Sequence, residues 1–415
     1  MNAEIIAIGS ELLTPDRVDT NSLYLTQKLN EAGFEVRLKT VVGDNREDIQ
    51  GLLRAALQRS RLIVLCGGLG PTEDDLTRVA TAQALGRRLT LNGEVLEGLQ
   101  RRFAVRGYTM AKINERQAEV IEGAEVLANP AGTAPGMWIE ANGAALVLLP
   151  GPPRELKAMF EAAVFPRAAR MAGGRSMATR TIGIQGWTES EVDTRIAPIY
   201  TSFSEVQTTI LAVKGVILLR MQQWVGPGEI PSQLDDLAGR IQAALSDTIY
   251  STSGEALESV VGSMLRKSGR SLALAESCTG GMIGAAITRV PGSSEYFRGG
   301  IVCYSNEVKI SQCRVPPALL ERHGAVSAEV AEALALGVRQ ALGSSIGLAV
   351  TGIAGPGGGT DPKPVGLVYV GVADECRCVI SRRILPGDRE TVRELAATIA
   401  LGRLRGFLMS ENARA

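Results

Sequence analysis

Histidine is nearly missing from this chain: there is one in 415 residues, His323. A Ser-His-Asp triad could use only that residue, and a zinc site built on two or more histidines is excluded. Any hydrolytic chemistry therefore rests on serine, lysine, tyrosine, carboxylates or a bound cation. Aromatic residues make up only 4% of the chain, and 44 basic residues balance 44 acidic ones. A nucleic-acid binder usually carries a basic excess and stacking aromatics, so direct nucleic-acid binding is not expected. The six cysteines (Cys66, Cys278, Cys303, Cys313, Cys376 and Cys378) form no repeated pair with metal-ligand spacing. Apolar runs such as residues 144–149 are far too short to span a bilayer. The opening residues carry Glu4 and Glu11 and no basic lead, unlike a signal peptide. Reduced thiols, a cytoplasmic location and no membrane partner are the expectation.

What the chain has is length and glycine. Its 415 residues exceed one ordinary core, and its 47 glycines suit tight turns and ligand loops. Short apolar runs alternate with amphipathic stretches over residues 3–165, which predicts an α/β domain with a parallel sheet covered on both faces. Strands are expected at 4–8, 34–42, 62–66 and 144–149, with helices at 21–30, 46–58 and 75–85. Residues 171–252 read as a small α+β module with no catalytic constellation. Residues 253–415 alternate again, with strands expected at 272–275, 301–304 and 346–350 among others, so three domains are expected, at 1–170, 171–252 and 253–415.

Three loops in the last segment carry chemistry. Ala275-Glu-Ser-Cys-Thr-Gly-Gly281 joins an apolar strand to a helix. A strand end fixes a nucleophile there, and amides at the helix start can face an oxyanion. Ser277 and Cys278 are both candidates, and a serine that merely caps the helix is the plainer alternative. The second loop, Gly299-Gly-Ile-Val-Cys-Tyr-Ser-Asn-Glu-Val-Lys309, sets Lys309 about one helical turn beyond Tyr304. A serine hydroxyl needs a base. With no free histidine, Lys309 would serve if burial lowered its pKa, and Tyr304 could relay the proton or orient the hydroxyl. A solvated lysine and a core tyrosine are the commoner fates of each alone. The third loop, Val350-Thr-Gly-Ile-Ala-Gly-Pro-Gly-Gly-Gly359, lets backbone approach a ligand. It lacks the Gly-Lys-Ser/Thr of a Walker loop.

The first segment has one such loop, Cys66-Gly-Gly-Leu-Gly-Pro-Thr-Glu-Asp-Asp-Leu-Thr77. Gly67, Gly68, Gly70, Thr72, Thr77 and the helix amides suit a phosphate. Glu73, Asp74 and Asp75 crowd the same place and would repel it unless a divalent cation, Mg2+ or similar, sat between. Asp74 and Asp75 are its expected ligands. Simple capping of the helix dipole by acids is the alternative.

Taken together, the three C-terminal loops resemble the C-terminal domain of the CinA family, the nicotinamide mononucleotide amidohydrolase domain. The likeness covers residues 255–415. It rests on 275–281, Tyr304-Ser-Asn306 with Lys309, Gly324-Ala-Val-Ser327, 351–358 and Gly387-Asp-Arg389. It implies a Ser-Tyr-Lys catalytic set, here Ser277, Tyr304 and Lys309, converting nicotinamide mononucleotide to nicotinate mononucleotide and ammonia with no cofactor. Thr279, Gly280, Gly281, Thr351, Gly352, Gly355 and Arg389 would hold the nucleotide.

Residues 3–165 resemble the molybdopterin-binding fold as it occurs in the CinA N-terminal domain. Gly9-Ser-Glu-Leu-Leu13, Asp19-Thr-Asn-Ser22, Val42-Gly-Asp-Asn45, Asn129-Pro-Ala-Gly-Thr-Ala-Pro-Gly136 and Leu149-Pro-Gly-Pro-Pro-Arg-Glu155 carry the likeness. Pro15 departs from it, standing where the family usually has glycine. The resemblance implies a doubly wound domain and a metal-dependent ADP-ribose pyrophosphatase. Molybdopterin binding in cofactor synthesis and a non-enzymatic role in competence or recombination are the rival readings. A homodimer is the expected assembly.

Overall fold

The inner strands are unbroken apolar runs whose successive side chains point to opposite faces, so helices can cover both. The computed structural model describes residues 1–105 and 107–412; residues 413–415, part of the C-terminal segment read from the sequence, lie outside the described residues. The chain forms two compact units, Met1–Ala178 with Trp224–Pro231, and Thr179–Gln223 with Ser232–Ala415.

The first unit begins β1 (Asn2–Ile8), α1 (Thr20–Glu31), β2 (Glu35–Val42), α2 (Arg46–Leu57), β3 (Leu62–Cys66) and α3 (Thr77–Leu85). Three more strands follow, β4 (Glu125–Leu127), β5 (Gly136–Ala141) and β6 (Ala144–Leu149). The sheet runs β2-β1-β3-β6-β5-β4. Its first four strands are parallel, as the alternation predicts, but β5 and β4 add antiparallel edges. The β5–β6 hairpin turns on Asn142 and Gly143, with φ of 52° and 75°. That pair favours the left-handed backbone of a two-residue hairpin.

Leu62 and Val64 of β3 share one core with Leu25 and Leu29 of α1. Ile63 and Leu65 share the opposite core with Ile49 and Leu53 of α2. The chain thus covers one face on leaving β1 and the other on leaving β2. The loops after β1 and β3 part to opposite sides and leave a crevice between strand ends, where ligands of open α/β sheets bind.

The second unit holds one sheet and most of a second. The smaller runs β8 (Gln207–Val213), β9 (Val216–Val225), β7 (Ser176–Gln185) and β10 (Ile249–Ser251), with α4 (Glu189–Tyr200) and α5 (Ser232–Leu245). Then come α6 (Leu257–Lys267), β11 (Leu272–Glu276), α7 (Met282–Thr288), β12 (Phe297–Val302), α8 (Asn306–Ser311) and α9 (Pro317–His323). The chain ends α10 (Ala328–Ala341), β13 (Ile346–Gly352), β14 (Leu367–Ala373), β15 (Cys378–Ile384) and α11 (Arg389–Asn412).

The larger sheet runs β12-β11-β13-β14-β15, with the first three strands parallel and the last two antiparallel. Leu272 and Leu274 of β11 pack with Leu348, Val261, Ala396 and Leu404. Ala273 and Ala275 pack with Val330, Leu334 and Val338 of α10. Small residues let α10 approach closely: a Cβ on Gly347 would lie 2.0 Å from the Ala335 carbonyl oxygen. The middle stretch shares this unit. Lys214 Nζ meets Glu394 at 2.6 Å, Thr398 donates to the Lys214 carbonyl, and Arg405 donates to that of Ile249. Among the described residues no helix is long and apolar enough to cross a membrane.

Candidate functional sites

The C-terminal ends of β12, β11 and β13 bring the three glycine-bearing loops of the second unit together. Ser277 follows β11, and its N–H donates to the Val350 carbonyl at 3.0 Å, fixing it against β13. It is 8% exposed, enough for its edge to meet solvent. Cys278 turns inward: a Cβ on Gly352 would lie 3.1 Å from its Sγ. Burial pushes its thiol up to about 11. Little of it would be thiolate, the nucleophilic form, at neutral pH.

The backbone amides expected to face an oxyanion are largely engaged. Glu276 is buried at the end of β11 and accepts the N–H groups of Gly281, Ile283 and Gly284 at 3.0, 3.1 and 2.8 Å. It caps α7, whose own N-cap, Gly281, has no side chain to do so. The Gly280 N–H closes the turn onto the Ser277 carbonyl at 3.2 Å. Thr279 is fully buried, and its Oγ1 has no hydrogen-bond partner.

Lys309 is 1% exposed, on the short helix α8. Its Nζ donates to the carbonyls of Cys303 and Tyr304 at 2.7 and 3.1 Å. Among the described residues no carboxylate lies within salt-bridge distance of it, and burial is the chief cause that holds it below the ordinary lysine value. Tyr304 lies beyond the end of β12, where the sequence pattern put it inside the strand. The strand starts earlier because it runs through Gly299 and Gly300, paired with Ala273 and Leu274. The Tyr304 ring is 61% exposed. Its hydroxyl accepts from Arg389 Nη2 at 3.0 Å, so it faces Arg389 and not Lys309, whose contact is with its carbonyl.

Arg389 also donates to the Gly355 carbonyl at 2.7 Å, joining the second and third loops. Thr351 is fully buried and donates to the Ala325 carbonyl at 2.7 Å. Its hydroxyl holds the 324–327 turn. Arg393 was not singled out by the motifs. It donates to the carbonyls of Cys278 and Thr279, each at 3.2 Å, and clamps the nucleophile loop. Its place one helical turn after Arg389, on a helix announced by Gly387-Asp-Arg389, was the available signal. His323 stands apart at the end of α9, with Nδ1 3.4 Å from Glu329.

The crevice of the first unit has a volume of about 580 Å³. Gly67, Gly68, Gly70, Asp74 and Asp75 line it, as do Glu11, Asp19, Asp44 and Glu155, against one arginine, Arg17. Gly67 has φ +106°, and a Cβ there would lie 2.0 Å from the Ile8 carbonyl oxygen. No other residue fits this approach. Several residues expected at the phosphate or the cation also build the loop. Asp75 accepts from the Gly70 N–H at 2.7 Å, the Thr72 N–H at 2.8 Å and the Thr72 hydroxyl. Thr77 is fully buried and donates to the Gly67 carbonyl at 2.7 Å. Arg78, which the sequence reading passed over, donates to the carbonyls of Leu69 and Gly70 at 2.6 and 2.7 Å.

Asp74 differs: its side chain is exposed. Among the described residues no three acidic, cysteine or histidine groups form a ready metal cage. A magnesium-type ion does not require one, since it takes one or two carboxylates with phosphate oxygens and water. A crevice so rich in carboxylates fits a cation of that kind and disfavours a bare anion.

Residues 254–408 match the family described as CinA C-terminal domain, and residues 4–170 that described as probable molybdopterin binding domain. A "CinA-like protein" of Solibacter usitatus is 48% identical over 98% of this chain and 98% of its own. Another of Koribacter versatilis is 48% identical over 99% of this chain and 100% of its own. Among solved structures, "the protein CinA with unknown function" from Thermoplasma acidophilum is 32% identical. It covers 39% of this chain and 96% of its own, with a TM-score of 0.37.

Proposed function

Since the chain belongs to the CinA family, we propose that its C-terminal segment hydrolyses the carboxamide of nicotinamide mononucleotide through Ser277, with Lys309 as the base. One observation carries this reading: Lys309 is fully buried, lacks a carboxylate partner among the described residues and hangs from the carbonyls of Cys303 and Tyr304, just past β12, the strand paired with the β11 that leads into Ser277. Burying an unpaired ammonium is costly unless the group can lose its proton. A lysine in its neutral form is what a serine needs when no histidine is at hand.

Neutral Lys309 takes the Ser277 proton as Oγ bonds to the carboxamide carbon. The proton then passes to the departing nitrogen, the C–N bond breaks, and ammonia leaves an ester on Ser277. Water, deprotonated by the same amine, cleaves that ester to nicotinate mononucleotide and restores the hydroxyl. Because the Gly280 and Gly281 amides are engaged by Ser277 and Glu276, they hold the loop in shape and do not receive the oxyanion. Arg389 would take the substrate phosphate, with Tyr304 aligning its guanidinium. Thr279, Thr351, Gly352 and Gly355 shape the surrounding walls.

For the N-terminal segment the reading is cleavage of ADP-ribose by water to AMP and ribose 5-phosphate. The carboxylate-lined crevice supports it. Asp74 would hold a divalent cation that neutralises the diphosphate. Asp75 would act at one remove, by bracing the loop. Molybdopterin binding in the same crevice is the rival.

Incubating the purified protein with each nucleotide, with and without chelator, tests both readings. Ammonia and nicotinate mononucleotide should form in either condition, and AMP only without chelator. Turnover of neither nucleotide would sink both activities. Tight molybdopterin binding without AMP formation would favour the rival.

A further inference from the structure

The second unit contains another cleft, of about 910 Å³, that the amide-hydrolysing residues leave untouched. One wall is apolar, made by Val372 of β14 with Leu395, Ile399 and Phe407 of α11. Trp187, half-buried in the turn after β7, lines the same cleft, and an indole is a good stacking partner for a flat ring.

The charge of the remaining lining is one-sided. Arg383, Arg403 and Arg405 face a single carboxylate, Asp247. Arg405 is partly engaged, donating to the Ile249 carbonyl. Arg383 donates only to the carbonyl of its neighbour Arg382, at 3.0 Å. Arg403 has no hydrogen-bond or ion-pair partner among the described residues, and desolvation, then Arg383, hold its guanidinium below the ordinary value. Two guanidiniums that repel across open space leave a site that an anion would relieve. Their planar donors suit phosphate oxygens.

Two neutral groups point the same way. Gln185 Oε1 and Ser381 Oγ both belong to residues lining this cleft, both are buried, and neither has a hydrogen-bond partner. Buried polar atoms rarely stay unpaired, and a turn of either side chain would offer its oxygen to a ligand in the cleft. An apolar wall, an indole, an unpaired amide oxygen and two guanidiniums without a carboxylate partner among the described residues together match a planar nitrogen heterocycle bearing phosphate.

We propose that this cleft binds a phosphorylated nucleotide at a second site, with its phosphate between Arg383 and Arg403 and its base beside Trp187 and Gln185. The proposal does not depend on the amidohydrolase reading, because no residue of that site is shared. Helix α11 nevertheless links the two places: Arg389 and Arg393 in its first turns meet the catalytic loops, while Arg403 and Arg405 lie in the cleft.

The test is titration of the full chain with ADP, followed by tryptophan fluorescence. Trp187→Phe identifies the signal of this cleft against Trp138 and Trp224. A saturable change assigned to Trp187 at or below about 1 mM ADP is expected. Arg383→Glu and Arg403→Glu should each weaken it about tenfold or more, and Arg403→Lys should weaken it less. Both arginine side chains are exposed, so the glutamate variants should keep the native circular dichroism spectrum and nicotinamide mononucleotide turnover. Inorganic pyrophosphate should compete, more weakly than ADP, because it lacks the base. An unchanged Trp187 signal up to several mM ADP, or unchanged affinity in both glutamate variants, would overturn the proposal. So would a Trp187 signal that follows protein concentration without ADP, which would mean that a second copy of the chain covers the cleft.

Discussion

Glu276 and Asp75 stand in different domains yet use their carboxylates alike, each folding back onto amides of the glycine loop to which it belongs. Glycine next to a helix start reads from sequence as amides offered to a ligand, but an acid a few residues away can take them first. Loop position was therefore legible at both sites, while amide occupancy was not, because it depends on side-chain direction and not on spacing. Glu276→Gln removes a charged acceptor of three amides. It should lower stability by about 1–3 kcal/mol in urea unfolding and reduce amide hydrolysis, since the Ser277 loop loses its anchor. Lys309 yields a pH prediction. Its folded value lies below the ordinary lysine value because of burial, and the base is the neutral amine. The rate kcat/KM should therefore rise with pH through that lowered value. Stability should rise over the window between the folded and unfolded values, where the unfolded chain binds the extra proton. Lys309→Arg, which keeps the charge but cannot release it, should cost about a hundredfold or more in turnover. Retained activity and an unchanged pH profile in Lys309→Arg would remove lysine from the mechanism.

At the scale of elements, short unbroken apolar runs placed β3, β6, β11 and β13 within a residue or two. The sequence reading missed β4 and β5, although Asn142-Gly143 was a direct hairpin signal. It began β12 too late because Gly299 and Gly300 resemble a loop until their neighbour Leu274 supplies the packing they lack. Helix α10 gives a sharp test of the close layer. Gly347→Ala would drive a methyl into the Ala335 carbonyl. The loss should be about 1–3 kcal/mol, read as a lower urea midpoint with an unchanged slope. In the first unit, Asp74→Asn and Asp75→Asn should fail differently. Asp74→Asn should weaken metal dependence and leave the fold's stability unchanged. Asp75→Asn should lower stability as well as ADP-ribose cleavage. Equal melting temperatures for both variants would mean that Asp75 does not brace the loop.

For the molecule as a whole, the sequence indicated a boundary near residue 252 but not how much the middle stretch contributes beyond it. Tyr250 lies in the same core as Leu257, Val261 and Leu404, with half-buried Val216 and Leu218 packed against it. A fragment of residues 253–415 should therefore hydrolyse nicotinamide mononucleotide yet melt below a fragment of 179–415. Equal melting temperatures would mean that the middle stretch adds nothing to this core. The central claim, that Ser277 with buried Lys309 as its base breaks the carboxamide, is tested most directly by ammonia release from nicotinamide mononucleotide in three proteins under excess chelator. The unmutated chain and Cys278→Ser should release ammonia at similar rates, and Ser277→Ala should release none while still binding the nucleotide. Ammonia from Ser277→Ala with an inactive Cys278→Ser would contradict the account and make the cysteine the nucleophile.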